Sequence, residues 1–331
     1  MKDFGYKDNK KTNNRQIRTF TVSSSFDDST ERIIVSSNKL ENNLSQKKNS
    51  SFLISEAFKF HAKGNILAAK KFYQSFLDQG FADPRVFSNY GAICQQSGDT
   101  DKAMALYKQS IALFPKSSQA YSNLGALLKT LGKVKESEVF TQKAIELDPT
   151  FADAYINHGN TLKELGKMKE AEVFMRKAIA IKPNSEISNT NLGSILIEQG
   201  KMKEAEVFMR KAIAIKYDYA LAHYNLGIVL LDLGNLKEAE LSTRKAIEIE
   251  PNFVEAHSNL GSILKDLGKL EEALVSFRKA IALRNNHSSA ISEMGYVLLK
   301  QGKYKDGLQK VTEGNGSIIF DQKISKMYII S

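Results

Sequence analysis

Eight glycines, Gly64, Gly98, Gly132, Gly166, Gly200, Gly234, Gly268 and Gly302, recur at a spacing of 34 residues without a slip. A fixed period in this range means one supersecondary unit stacked on copies of itself, each copy burying its apolar face on its neighbours. A globular fold with one closed core is thereby excluded. Function must be sought on a long repeated surface and not in a single deep pocket.

When the glycine is numbered 15, repeats start near residues 50, 84, 118, 152, 186, 220, 254 and 288. Positions 4, 7, 8 and 11 read Tyr121, Leu124, Gly125 and Leu128 in the third repeat, and His223, Leu226, Gly227 and Leu230 in the sixth. This i, i+3, i+4, i+7 spacing is one face of a helix. Beyond the glycine, positions 20, 24 and 27 continue it as Ala171, Met175 and Ala178, then Ala205, Met209 and Ala212. Each repeat is therefore a helix A, a turn at glycine and a helix B. Pro115, Pro149, Pro183 and Pro251 all stand at position 32, where a residue without an amide donor stops helix B. Position 8 is glycine in seven repeats, from Gly91 to Gly295. In mid-helix each such glycine costs about 1 kcal/mol against alanine, which predicts a helix crossing too close for a larger side chain.

Small residues at 8, 20 and 27 with proline at 32 resemble the tetratricopeptide repeat, over roughly residues 50–311. The resemblance implies an all-α fold, a right-handed α-solenoid superhelix of about eight helix-turn-helix repeats. Two positions depart from the pattern. The aromatic typical of position 4 is replaced by Asn189, His223 and His257, and proline 32 becomes Phe81, Tyr217 and Asn285. The first and eighth repeats are the most degenerate, as capping repeats are. Within the family, the wording NLG…L…LGK…EAE…RKAI resembles arrays that precede protein O-glycosyltransferase domains, and bacterial arrays fused to transferase or oxygenase domains. Residues 166–182 and 200–216 are identical, both GKMKEAEVFMRKAIAIK, which points to internal duplication. A site built on unique residues rarely survives such copying, whereas repetitive recognition does.

Composition sets further bounds. The chain has 331 residues and one cysteine, Cys94, so an internal disulfide is excluded and a reducing, cytoplasmic setting is expected. Cys94 occupies position 11, a packing position. No targeting segment is visible and no apolar run nears the roughly 18 residues of a membrane span. Residues 1–49 are polar, with ten Lys and Arg against six Asp and Glu. Such a segment cannot offset its ordering entropy by burial and is expected to be disordered. The 312–331 tail breaks the register and is expected to be short and irregular, with strand-like pieces at Ile318-Ile319-Phe320 and Tyr328-Ile329-Ile330. Gly307 and Gly314 replace the alanines of positions 20 and 27, so helix B of the eighth repeat is expected to be weak. In the arrays it resembles, such a tail opens a catalytic domain. The residues left are too few for one, so the chain reads as the repeat half of a longer design or a remnant of one.

The candidate site is a ladder of asparagines at position 6: Asn89, Asn123, Asn157, Asn191, Asn225 and Asn259. A carboxamide carries both donor and acceptor and can hold a peptide bond without reading side chains. The resemblance to arrays before O-glycosyltransferases implies this use, on a concave wall with the side chains facing solvent. The bland alternative is a packing or solubility role. Position 5 has no Lys or Arg, which argues against a clamp for a C-terminal carboxylate. The net charge of +10 comes mostly from helix B, where Glu172, Glu206 and Glu240 precede Arg176, Arg210 and Arg244 by four residues as ordinary surface pairs. Without interleaved aromatics, this argues against nucleic acid. The histidines fall on inequivalent positions, and no phosphate loop, GxSxG or metal-spaced cysteine pair occurs. The sequence thus predicts a non-catalytic protein–protein interaction scaffold, with a protein or peptide in its groove, no cofactor, no metal and no membrane. The alternative is the substrate-recognition part of a transferase or oxygenase whose catalytic domain is absent or acts in trans.

Overall fold

The computed structural model describes residues 37–315, 317–321 and 326–330, with side chains described from residue 46 to 315. The chain divides into two compact units, residues 1–167 and 168–331, and the division falls inside the fourth repeat. In the first unit, α1 (Ser37–Ala62) pairs with α2 (Ile66–Asp78), α3 (Pro84–Gln96) with α4 (Thr100–Leu113), and α5 (Ser118–Thr130) with α6 (Val134–Leu147); α7 (Ala152–Glu164) follows. The second unit opens with α8 (Met168–Ile181). It continues with α9 (Glu186–Glu198) and α10 (Met202–Ile215), α11 (Ala220–Asp232) and α12 (Leu236–Ile249), α13 (Val254–Asp266) and α14 (Leu270–Leu283), and α15 (Ser288–Lys300) and α16 (Tyr304–Asn315). A hairpin of β1 (Ser317–Asp321) and β2 (Lys326–Ile330) closes it, with Ile318 opposite Ile329 and Phe320 opposite Met327. The fold is an all-α array of helix-turn-helix repeats with a terminal hairpin.

Local chemistry places the helix ends. The Asp83 carboxylate accepts from the Arg85 amide at 2.8 Å with Pro84 in the first turn, the arrangement that best satisfies an N-terminal donor. The position-15 glycines all have φ between 73° and 81°. At Gly132, for example, the amide of Lys133 reaches back to the carbonyl of Leu128 at 2.9 Å, the Schellman closure that a left-handed residue permits.

Within each unit, helices A of neighbouring repeats approach one another, as α3 does α5 and α9 does α11, while helices B make no comparable approach. Helix A thus lies on the inner side of each unit and helix B on the outer. The core of the first unit is aromatic: Tyr73 and Tyr90 stack with ring centroids 5.8 Å apart, and Tyr73, Phe87 and Tyr107 are all but fully buried. Cys94 is buried among them as a free thiol, and burial pushes its pKa up.

The mid-helix glycines lie where expected. Position 8 of helix A sits against position 24 of helix B in the same repeat, so a side-chain carbon on Gly261 would lie 2.6 Å from the Phe277 ring. On Gly125 it would lie 2.5 Å from Thr141 Cγ2 and 3.2 Å from its backbone nitrogen. These are distances that packed carbon atoms do not tolerate.

Three terminal expectations need correction. Residues 1–36 lie outside the described residues, but 37–49, read as disordered, are the first half of α1. Once the Leu53–Phe58 half of α1 is packed into the core, each added turn avoids the cost of nucleation. Helix α16 forms despite Gly307 and Gly314, because both glycines sit at close crossings. A Cβ on Gly307 would meet Leu299 Cγ at 2.7 Å, and one on Gly314 would meet the Ser288 carbonyl oxygen at 2.6 Å. Packing overrides propensity there. In the tail the two strand-like pieces are strands as expected, and their pairing into a hairpin replaces the irregular segment.

Alanine at Gly125 and at Gly193 separates rigid from yielding crossings. Thr141 is pinned, since its Oγ1 donates to the Ser137 carbonyl at 2.8 Å and lies 2.9 Å from His158 Nδ1. Gly193 faces the flexible end of Met209. Gly125→Ala is expected to destabilise its repeat by about 1–2 kcal/mol net of the helix-propensity gain. Gly193→Ala should stay within about 0.5 kcal/mol of the parent. Hydrogen exchange of α5–α6 and α9–α10 amides checks this, and equal effects at both sites would contradict it.

Candidate protein-binding faces

The inner side of each unit is built from positions 5, 6 and 9 of helix A, next to the buried stripe. Three of the position-6 asparagines are buried, Asn89 at 3% exposure and Asn123 and Asn225 at 7%. Asn157, Asn191 and Asn259 are half-buried. The expectation that these side chains face solvent is not met. Helices A approach closely enough for the amide to reach the preceding repeat: Asn157 Nδ2 donates to Ser122 Oγ at 2.9 Å, and Asn225 Nδ2 to Ser194 Oγ at 3.2 Å. Asn259 Nδ2 lies 3.4 Å from Thr243 Oγ1, and Asn123 Oδ1 accepts from Gln119 Nε2 at 2.8 Å. Asn89 hydrogen-bonds the Tyr73 hydroxyl, whose pKa burial drives well above the tyrosine range. Asn191 differs, because its Nδ2 is buried with no acceptor. Thr190 Oγ1 beside it is also buried and unmatched.

The departures at position 4 have a function that the sequence pattern did not disclose. His223 Nε2 donates to the Tyr217 carbonyl at 2.8 Å and His257 Nε2 to the Pro251 carbonyl at 2.9 Å. Asn189 Nδ2 points at the Pro183 carbonyl at 3.4 Å and donates to that of Ser185 at 2.8 Å. In all three cases a polar side chain holds the turn between repeats by reaching its position-32 carbonyl. The other histidines are also structural. His61 Nδ1 meets the Tyr73 hydroxyl at 2.9 Å, and His287 Nδ1 accepts from the Ala290 amide as an N-cap. His158 is pushed down to about 4 by burial. Among the described residues no group of three or more His, Cys, Asp or Glu is placed to hold a metal ion.

The outer side carries a charge ladder richer than the within-helix pairs expected. Arg176 pairs with Glu172 four residues back and also with Glu204 of the next repeat. Arg210 does the same with Glu206 and Glu238, and Arg244 with Glu240 and Glu272. Lys201 and Lys269 return from the following repeat to Glu172 and Glu240, each at 2.8 Å. Helices B that do not touch are thus tied by ion pairs 28 and 29 residues apart. The sequence signal was present: glutamate at position 19 of the repeat after Arg176, Arg210 and Arg244. Between the charged rows runs an aliphatic row at position 22, with Val173 51%, Val207 49%, Leu241 69% and Val275 63% exposed.

In each unit, stacked helix pairs with an inner helix-A side and an outer helix-B side define a helical-repeat module. The tetratricopeptide repeat models match residues 84–117, 118–151, 152–185, 188–219, 220–253 and 254–287. The chain belongs to the tetratricopeptide repeat family. The matched repeats leave out the two degenerate ends. A chain of the APC/C hetero-tetramer Cut9-Hcn1 superposes with a TM-score of 0.66 at 17% identity, over 84% of this chain and 55% of that one. This chain therefore spans about half the length of that protein, and the likeness shows the fold. YrrB, described as a TPR protein with an unusual peptide-binding site, gives 0.46 at 25% identity over 60% and 97% of the two chains. MamA gives 0.44 at 23% over 58% and 97%. A comparison with curated proteins returned no match. As a tetratricopeptide array the protein is of the protein-interaction scaffold class. Among the described residues no helix is long and apolar enough to cross a membrane.

The ladder has an acid signature. Hydrogen bonds from Lys201, then from Arg176, hold the half-buried Glu172 carboxyl down at about 2 against an ordinary 4.5. A depressed folded-state pKa contributes stability that is complete above the unfolded value and is lost as pH falls. Glu172→Gln should therefore flatten the stability profile between pH 4.5 and about 2, with its loss of stability seen at neutral pH, where the carboxylate is paired, and vanishing at the acid end, where Glu172 is protonated. Chemical denaturation across that window checks it; an unchanged acid limb would show the pairs to be incidental.

Proposed function

We propose that the array holds an extended segment of a protein partner along the inner, helix-A side, with the position-6 asparagines contacting its backbone. The observation that carries this reading is asparagine at position 6 of six successive repeats, Asn89 to Asn259, on the helix-A side of each unit, in a chain of a protein-binding family. The hydrogen bonds to Ser122 and Ser194 use one amide hydrogen each and hold the carboxamides in place. A primary amide has a second hydrogen and a carbonyl besides. Fixed orientation lowers the entropy lost on binding.

Asn191 is the focal rung. An amide nitrogen buried without an acceptor costs about 1–3 kcal/mol, and turning the Asn191 side chain outward to a partner carbonyl recovers it. This makes Asn191→Ala diagnostic. The variant should be as stable as the parent or more so, because alanine removes the unmatched donor and is the better helix former. Capture of partners from a lysate should nonetheless weaken, by about 0.5–1.5 kcal/mol for the lost hydrogen bond, and similarly for partners of different sequence. Adding Asn157→Ala and Asn225→Ala should weaken binding further while also costing stability, since both amides tie neighbouring repeats together. If Asn191→Ala captured every partner as tightly as the parent, the asparagines would be packing residues.

A further inference from the structure

The outer side of α10 carries a second set of features that the helix-A reading does not use. Lys203, Val207, Lys211 and Ala214 follow one another at spacings of four, four and three, so they form one line along the helix, and all four are exposed. The carboxylates beside them are already neutralised: Glu204 is paired with Arg176 and Glu206 with Arg210. Lys203 has no ion-pair partner among the described residues, and Lys211 rests over the Phe208 ring at 5.1 Å. The line therefore presents uncompensated positive charge around an exposed aliphatic side chain. Residues 200–216 hold five Lys and Arg against two Glu, a net +3 out of the chain's +10.

At Ala214 this line meets an open hollow of about 420 Å³ between α10, α11 and α12. Its apolar lining comes from Ile213, Ala214 and Leu226, and Arg210, His223 and Tyr217 contribute polar atoms and a ring. Tyr217 stands at position 32, where four other repeats carry proline. It is 65% exposed, its ring meeting His223 edge-on at 5.6 Å and lying 5.0 Å from Lys245 Nζ. The volume suits one large side chain and is too small for a folded element.

We propose that the outer side of α10 is a docking site for an acidic protein segment, whose one aromatic or large aliphatic side chain enters the hollow beside Tyr217. Charge complementarity selects the acidic partner, and the apolar hollow selects an anchor that a phosphate backbone does not have. Helix α8 supplies an internal control. Residues 166–182 repeat residues 200–216 letter for letter, so Lys169 and Lys177 reproduce the charges, but position 32 there is Pro183. The charge is duplicated, and the tyrosine is not.

The test uses the full chain and a fluorescein-labelled synthetic helical peptide of glutamates carrying a single Trp, read by anisotropy. The peptide should bind, and its Kd should rise at least ~tenfold with Lys203→Glu/Lys211→Glu. Tyr217→Ser in the protein, or Trp→Ser in the peptide, should weaken binding to a similar degree. Lys169→Glu/Lys177→Glu should weaken it much less, and Asn191→Ala not at all, which separates this site from the inner side. The substituted side chains are all exposed except that of Asn191, and unchanged far-UV dichroism shows that the variants fold. Failure of the peptide to bind, or equal losses from the α8 and α10 variants, would overturn the proposal. So would loss on Asn191→Ala alone, or tighter binding of phosphatidylserine vesicles or oligouridylate that Lys203→Glu/Lys211→Glu abolishes.

Discussion

Everything in this array rests on how closely helix A crosses helix B within a repeat. Position 8 must have no side chain because position 24 occupies its place, whether as Phe277, Thr141 or Met209. Each mid-helix glycine gives up about 1 kcal/mol of helix propensity, and the crossing it permits recovers that through dense contact and exclusion of water. Small residues on helix B, Ala205 and Ala239 among them, are fully buried. Within each unit, the repeated crossing lets one helix pair stack on the next, and the periodic surfaces follow from the stacking.

The two sides are held together by different physics. On the inner side, helices A are near enough for short polar side chains to bridge repeats, as Asn157 does to Ser122. On the outer side, helices B are too far apart for packing, and long charged side chains span the gap. Each exposed pair is worth at most about 1 kcal/mol, but Arg176, Glu172, Lys201 and Glu204 form a connected network whose members orient one another. An outer side tied by long flexible ion pairs yields more readily than an inner side tied by buried amides. The carboxylates are used up in the ladder, which leaves Lys203 and Lys211 as its unneutralised charge.

The repeat, its helix boundaries and its glycine crossings were legible because each depends on one residue in its own repeat. A left-handed turn needs glycine wherever it occurs, and proline stops helix B whatever surrounds it. The terminal expectations failed where local propensity was set against packing: Gly307 and Gly314 read as helix breakers and proved to be close crossings. The asparagine row was visible, but its burial was not, since exposure at position 6 depends on the distance between neighbouring helices A. The reach of His223 and His257 to position-32 carbonyls was equally hidden, for their spacing of six residues is no helical contact and is closed only by the turn between repeats.

By itself, the sequence determined the period, the two helices of each repeat and the family. These are properties of residue type and spacing along the chain. The tertiary structure alone decided which carboxamides are already bonded, that Arg176, Arg210 and Arg244 each bridge two repeats, and that Tyr217 borders an open hollow. Contacts such as Asn157 to Ser122 and Arg176 to Glu204 join distant residues through stacked helices, and their geometry is set by the crossing distance, a quantity that no local pattern encodes.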